Sequence, residues 1–126
     1  MSENKVPGSP YDIVIIGGGP AGLTAGMYAA RADMRTLAIE GASNLSQITA
    51  TDIIENYPGI PGGVNGFELI ERFKTQAGGF GLQNASGDVT EVRQARFGDQ
   101  NGWEVVAGEQ RYGALSLVLA TGAAWR

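Results

Sequence analysis

YDIVIIGGGPAG, residues 11–22, is the stretch that decides the fold of this chain. Residues 12–16 are mostly apolar and rich in isoleucine and valine, which predicts a short buried strand. Three glycines follow at once, and from Pro20 onward the sequence is small and rich in alanine, which is typical of a helix. The order of strand, tight turn and helix predicts an α/β fold with a parallel sheet.

The glycine spacing Gly17-x-Gly19-x-x-Gly22 has a separate physical reason at each position. Gly17 permits the sharp turn off the strand, Gly19 leaves no Cβ between the backbone and a bound pyrophosphate, and Gly22 lets the helix lie close to the sheet. The pyrophosphate would contact free amides at the positive end of the helix dipole, where Pro20 costs no hydrogen bond. The spacing therefore predicts a dinucleotide site.

Glu40 is the second part of this predicted site. A dinucleotide-binding fold places a carboxylate about 20 residues after the glycines, where it holds the ribose hydroxyls. Residues 35–39 (RTLAI) predict a second strand, and Glu40 stands at its carboxyl end. The alternative is a loop that merely contains several glycines, and the strand, the helix and the acid together favour the dinucleotide site.

Composition excludes several other classes of protein. The chain has 126 residues, of which 43% are hydrophobic and 17% charged, which suits one globular domain at most. Its net charge of −4 argues against a nucleic-acid partner, and no stretch approaches the length of a membrane span. Because cysteine and histidine are absent from the sequence, we expect no metal site and no catalytic side chain, so that a cofactor carries any redox chemistry.

The N-terminal part of the chain predicts a tail and one closely packed helix. Residues 1–10 are polar and predict a disordered tail without the apolar segment of a secretory signal, so we expect a cytoplasmic protein. The helix, about 20–32, would pack on the sheet through a nearly bare face made of Gly22, Gly26 and Ala29.

A second helix is predicted after a long connection, residues 41–63. Asn65 would cap this helix with Glu68 at its third position, and the glycine pair 78–79 would end it. Apolar side chains with helical spacing would cover the sheet, namely Phe67, Ile70, Phe73 and Ala77.

The C-terminal half predicts strands. Residues 82–85 would add a third parallel strand, and 88–92 a further one. The turn sequence 99–102 (DQNG) predicts a hairpin between strands 92–97 and 103–106, which makes a small antiparallel meander. A last buried strand is predicted for 115–119, ending at Ala120-Thr121-Gly122.

Four segments in this order carry a family resemblance over almost the whole of 11–126. They are GGGPAGLTAGMYAARA (17–32), ENYPG (55–59), GFELIERFKTQAGGFG (66–81) and LVLATGA (117–123). Through these segments the chain resembles the thioredoxin reductase family of flavoproteins, class II of the pyridine nucleotide-disulfide oxidoreductases.

The resemblance implies a fold and a function. In that family a Rossmann-like domain binds FAD, and an inserted domain binds NADPH and carries a redox-active CxxC. Residues 11–126 would then be the N-terminal lobe of the FAD-binding domain, in an enzyme that passes electrons from NADPH through FAD to a disulfide. We expect no catalysis by these residues alone, and the candidate partners are the NADPH domain, another chain, or a second copy in a homodimer.

The resemblance also implies which residues bind FAD. Gly17, Gly19, Pro20, Ala21 and Gly22 would form the pyrophosphate turn, and Glu40 would contact the adenosine ribose. Gln47 and Asn56 would lie near the flavin or its ribityl chain, the Val89 backbone would reach the adenine, and Ala120, Thr121 and Gly122 would close over the cofactor. The family has two glycines before the glutamine, whereas this chain has Leu45 and Ser46, whose side chains would crowd a backbone meant to lie against the flavin.

By residue type alone, several of these assignments have alternatives. Gln47 would be a solvated loop amide, Asn56 part of a turn, Val89 a half-buried strand residue, and Thr121 the end of a strand. Two other functions also stay open. One alternative is that the chain is the FAD-binding part of a ferredoxin-NADP reductase-like flavoprotein. The other is that it is a non-catalytic nucleotide-binding protein whose exposed sheet edge pairs with a partner chain.

Overall fold

The computed structural model describes residues 9–41 and 53–122 and contains two helices and eight strands in that part of the chain. In chain order they are β1 (Tyr11–Ile16), α1 (Pro20–Arg31), β2 (Thr36–Glu40), β3 (Ile53–Ile54), β4 (Val64–Asn65), α2 (Gly66–Gly79), β5 (Gln83–Ser86), β6 (Val89–Phe97), β7 (Gln100–Ala107) and β8 (Gln110–Leu119). Six strands form one sheet in the order β5-β2-β1-β8-β7-β6, and β3 pairs with β4 in a second, two-stranded sheet. The fold is α/β and Rossmann-like, as the sequence predicts.

The first half of the large sheet is parallel. β1 lies in the middle, with β2 on one side and β8 on the other, and β5 pairs with β2. Val14, Ile15 and Ile16 of β1 are all buried, because parallel strands are covered on both faces. Ile15 packs with α1 and Leu82 on one face of the sheet, whereas Val14 and Ile16 pack with β7 residues on the other.

β8 joins the parallel sheet to the antiparallel meander. Its residue Ala114 pairs with Trp103 of β7 and also with Tyr11 of β1, so the strand changes its main partner at this point. Because Val105 and Ala107 of β7 belong to the core cluster of Val14, the meander covers the face opposite the helices. The predicted meander is therefore continuous with the main sheet.

The hairpin between β6 and β7 differs from the sequence prediction. The two strands predicted for 88–92 and 92–97 are one strand, β6, which begins at Val89 and has an irregularity between Val89 and Glu91. Phe97 pairs with Gln100, so the turn is 98–99 rather than 99–102, and Gly98 takes the positive φ of +63°. A buried glycine, Gly102, lies instead under the Phe97 ring, where an added Cβ would come within 2.9 Å of the ring.

α1 packs through glycines, as predicted. Gly22 and Gly26 are buried, together with Leu23 and Ala30, whereas Ala29 is only partly buried. A Cβ on Gly26 would lie 2.8 Å from the Leu82 methyl groups and 3.2 Å from Ile15, so the helix backbone lies directly on its neighbours.

α2 begins as predicted, and three of its four predicted apolar side chains face the core: Ala77 is buried, and Ile70 and Phe73 pack against the same cluster. The Asn65 side chain accepts a hydrogen bond of 2.7 Å from the Glu68 N–H, which confirms the cap. Leu69 and Ala77 are buried with the first helical residue, Gly66, at the three- and four-residue spacing of one helix face. Phe67 lies one residue off this face and is 62% exposed, so its predicted place in the core was wrong.

The predicted connection 41–63 is not wholly irregular. It contains β3, which pairs with β4 just before α2. Neither helix in the described ranges is long and apolar enough to cross a membrane.

Candidate cofactor site

The carboxyl ends of the four parallel strands meet at one edge of the sheet. Backbone hydrogen bonds of 2.9 Å tie the residues that follow these strands to their neighbours: Gly17 N–H to Ile39 C=O, Gly87 N–H to Glu40 C=O, and Ala120 N–H to Ile16 C=O. The chain leaves β1 through α1 toward β2 on one side, whereas β8 lies on the other. Open α/β sheets bind ligands outside such a point, so this edge is the candidate site.

The glycine turn fits tightly against the ends of two neighbouring strands. Gly17 has a φ of +133°, and an added Cβ would collide with the Ala120 carbonyl oxygen. A Cβ on Gly22 would collide with the Gly17 carbonyl oxygen. A Cβ on Gly18 would lie 2.7 Å from Glu40 Cβ, so this position also lacks room, which the spacing of the other three glycines does not reveal.

The N-terminus of α1 is open to an anion. Its cap residue, Gly19, has an extended backbone, and among the described residues no side chain caps this end and no acid lies in the first turn. The Leu23 N–H makes the first helical hydrogen bond, to Gly19 C=O at 3.0 Å, so the Ala21 and Gly22 amides precede the helical ladder. This end therefore presents unneutralised N–H groups and the positive end of the dipole.

Glu40 forms an ion pair that the sequence analysis did not predict. The Lys74 ammonium of α2 lies 2.9 Å from Glu40 Oε1 and 3.3 Å from Oε2, and 3.7 Å from a Glu71 oxygen. The hydrogen bond that Lys74 donates to Glu40 is the main reason why the pKa of Lys74 is raised, with partial burial opposing it. One signal was available: Lys74 stands among Ile70, Phe73 and Ala77 on the apolar face of α2.

Some of the residues predicted to contact the adenine or to close over the cofactor lie near the same edge. Val89 is half-buried at the start of β6, two residues after Gly87, whose N–H bonds to Glu40 C=O. Ala120 contacts the glycine turn, and Thr121 and Gly122 are exposed directly after it.

The two predicted flavin-side residues are not brought to this edge by the described contacts. Asn56 is exposed between β3 and β4, beside Tyr57, whose ring centroid lies 5.6 Å from that of Phe73 in α2. Gln47, with Leu45 and Ser46, lies outside the described residues. Both assignments stay predictions.

A glycine turn at the carboxyl edge of a parallel sheet, an open helix N-terminus and an acid at the end of the next strand define a dinucleotide-binding α/β protein. A family profile described as "Pyridine nucleotide-disulphide oxidoreductase" matches residues 11–126, and the chain belongs to this family.

Known relatives agree with this assignment. The chain is 41% identical over 116 residues to the thioredoxin reductase of Treponema pallidum, covering 92% of this chain and 36% of that protein. It is 39% identical over 127 residues to that of Bacillus subtilis, covering 100% and 37%. The chain thus spans little more than a third of the length of these relatives.

Solved structures show the same fold. A thioredoxin reductase from Gloeobacter violaceus matches with a TM-score of 0.82 and 34% identity, over 93% of this chain and 38% of that one. The enzyme from Streptococcus pyogenes matches with a TM-score of 0.79 and 37% identity, over 92% and 36%. The chain is therefore similar to one region of the thioredoxin reductases, which are longer proteins.

The residues present fit the flavin cofactor that this family suggests. Among the described residues no side chain caps the α1 N-terminus, which suits a diphosphate. The Glu40 side chain is 40% exposed, so its carboxylate can accept hydrogen bonds from hydroxyl groups.

Proposed function

We propose that this chain is the FAD-binding region of a thioredoxin-reductase-like flavoprotein that passes electrons from NADPH through FAD to a disulfide. The observation that carries the proposal is the position of Glu40, whose stem packs against Gly18 at the open end of α1. A dinucleotide needs a donor set for its diphosphate and an acceptor for its ribose, and this edge offers both. FMN has no adenosine, so these contacts favour FAD.

In this proposal the chain's own residues bind and orient the cofactor. Bound FAD would supply the redox chemistry. The amides of Gly19, Ala21 and Gly22 donate to the diphosphate, Glu40 accepts from the ribose hydroxyls, and the Val89 backbone contacts the adenine. The β8 side of the cofactor is lined by Ala120, Thr121 and Gly122. The flavin or its ribityl chain lies near Gln47 and Asn56.

The proposal also includes partners and a location. Among the 126 residues there is no cysteine, so the disulfide chemistry belongs to other residues. We propose that an NADPH-binding domain and a second copy of the protein complete the enzyme, in the cytoplasm. The support for these points is the similarity to thioredoxin reductases.

The test is a comparison of FAD and FMN binding in matched variants. Glu40→Gln keeps the side-chain size but removes the charge, and we expect it to weaken FAD about tenfold, or about 1.4 kcal/mol. Binding of FMN should change less than about twofold, since FMN has no ribose for Glu40 to hold. The control is Asp99→Asn, at an exposed acid in the turn between β6 and β7.

Flavin fluorescence and calorimetry would measure both affinities. Equal weakening of FAD and FMN by Glu40→Gln, or tighter binding of FMN than of FAD by the wild type, would contradict the proposed site.

A further inference from the structure

A lysine from α2 reaches across to the end of β2. The Lys74 ammonium contacts both oxygens of Glu40, at 2.9 and 3.3 Å, although the two residues are 34 positions apart in the chain. Only 29% of the Lys74 side chain is exposed. Its neighbours on the helix face, Ile70 and Phe73, pack against the core cluster around Ile15 and Leu23. The lysine stem is thus held by packing, and its charge is directed to Glu40.

Glu40 is held on its other sides as well. A Cβ on Gly18 would lie 2.7 Å from Glu40 Cβ and 2.8 Å from its Cγ, so the glycine turn limits where the stem can lie. The Glu40 carbonyl accepts the 2.9 Å hydrogen bond from Gly87 N–H, which holds the backbone. These contacts fix the backbone and the stem of Glu40 but not its carboxylate. Among the described residues, Lys74 is the group that holds the carboxylate.

The pair still leaves the carboxylate able to bind a ligand. An ionised carboxylate has about four lone-pair sites, and one ammonium that bridges its two oxygens leaves the outer ones free. The Glu40 side chain is 40% exposed, so these outer positions are accessible. Lys74 also neutralises a negative charge at the edge where a diphosphate anion would bind, which lowers the repulsion between the two.

We propose that Lys74 is a positioning residue for the cofactor site, which holds the Glu40 carboxylate toward the adenosine ribose and offsets its charge against the diphosphate. The inference rests on the proposed function. A head group that is already ordered loses less conformational entropy when the ribose binds, so the pair raises affinity without touching the ligand.

Arg72 provides a matched comparison within the same helix. It pairs with Glu68 at 2.7 Å, but both partners belong to α2, and their side chains are 56% and 51% exposed. An exposed pair of this kind is worth little and does not face the strand ends. Removing the Arg72 charge therefore changes the net charge as much as removing that of Lys74, without changing Glu40.

The experiment measures FAD and FMN affinities for Lys74→Met, Lys74→Arg and Arg72→Met. We expect Lys74→Met to weaken FAD about fivefold and FMN less than about twofold, because only FAD carries the ribose. Lys74→Arg keeps the charge and should stay within about twofold of the wild type for both ligands. Arg72→Met should match the wild type.

A double-mutant cycle separates an action through Glu40 from direct contact with the cofactor. In the Glu40→Gln background, Lys74→Met should lose most of its effect on FAD. A full fivefold effect in that background would overturn the positioning role, and so would FAD binding by Lys74→Met that equals or exceeds that of the wild type. Melting curves with and without FAD check that each variant is folded.

The outcomes also distinguish this inference from the proposed function. If the wild type does not bind FAD, or Glu40→Gln binds it normally, the proposed function fails. If Glu40→Gln weakens FAD as expected and Lys74→Met does not, only the role of Lys74 fails.

Discussion

At the scale of single residues, the glycines of this chain differ in what their missing side chain permits. Gly22 is buried, and a Cβ there would collide with the Gly17 carbonyl oxygen and lie 3.2 Å from Ile15 Cγ2. Gly78 lies in α2 with no atom within 4 Å of its added Cβ. One methyl group therefore has opposite consequences at two helical glycines.

We predict that Gly22→Ala destabilises the fold and Gly78→Ala stabilises it. The first change forces the turn and α1 away from the sheet, at a cost of about 1–3 kcal/mol typical of overpacking. The second gains about 0.5–1 kcal/mol, because alanine is the better helix former and the site has room. Urea unfolding would measure both. Equal stabilities for the two variants would mean that α1 does not pack through Gly22.

At the scale of elements, the sequence predicts what local chemistry decides. The strand, turn and helix predicted within 11–31 are confirmed. They could be predicted because the apolar run, the glycines and the proline each determine the backbone conformation at their own position. The Asn65 cap is confirmed for the same reason. The edge that holds the candidate site could also be predicted, since parallel strands end together and Glu40 ends one of them.

Tertiary packing decides the features that the sequence analysis missed. Gly102 suits a turn by composition, but Phe97 needs the space above it, so the turn forms at Gly98 instead. Phe67 has the right spacing for the α2 core, but Leu69 and the adjacent Gly66 take that face. Lys74 pairs with Glu40 only because α2 crosses the end of β2.

The ion pair between Lys74 of α2 and Glu40 of β2 should be lost at alkaline pH. The pKa of Lys74 is raised above its usual 10.5, chiefly by the hydrogen bond that it donates to Glu40, with Glu71 adding a smaller effect. A group whose pKa is raised by folding stabilises the protein fully below its unfolded pKa, and that stabilisation is lost as the pH rises through the folded pKa. The contribution is therefore present at pH 7–9 and lost above about pH 10.5.

We predict that the difference in unfolding free energy between the wild type and Lys74→Met is constant from about pH 7 to 9 and shrinks above 10.5. Its size is about 1 kcal/mol or less, as is usual for a partly exposed pair. Comparison at each pH cancels the effects that the two proteins share. The difference for Arg72→Met should stay flat, since a guanidinium keeps its charge. If the difference in unfolding free energy for Lys74→Met did not shrink above pH 11, the stabilising role of the Lys74–Glu40 pair would be contradicted.

At the scale of the whole molecule, one sheet edge collects segments from most of the chain. Gly17, Gly87 and Ala120 follow three different strands, and each donates a backbone hydrogen bond to a neighbouring strand end. The meander lies on the opposite face from the helices. A Cβ added to Gly113 would meet both the Phe97 ring and Pro10, so the turn after Phe97, at Gly98, lies at the amino end of β1. A ligand at the carboxyl edge would therefore connect segments that are distant in sequence and leave the hairpin turn at Gly98 untouched.

Hydrogen exchange should reveal this division when FAD binds. The amides of Gly17, Gly87 and Ala120 exchange when the strand ends separate, and separated ends cannot hold a cofactor that contacts several of them. At an FAD concentration of about 100 times Kd, linkage adds about 2.7 kcal/mol to such an opening, so exchange should slow about 100-fold. Amides beside the turn at Gly98 open by local fraying that does not release the ligand, and their exchange should not change. Riboflavin at the same concentration is the control, because it has neither diphosphate nor adenosine. Slower exchange at the Gly98 turn with no change at the three edge amides would place the cofactor on the meander and rule out the strand-end site.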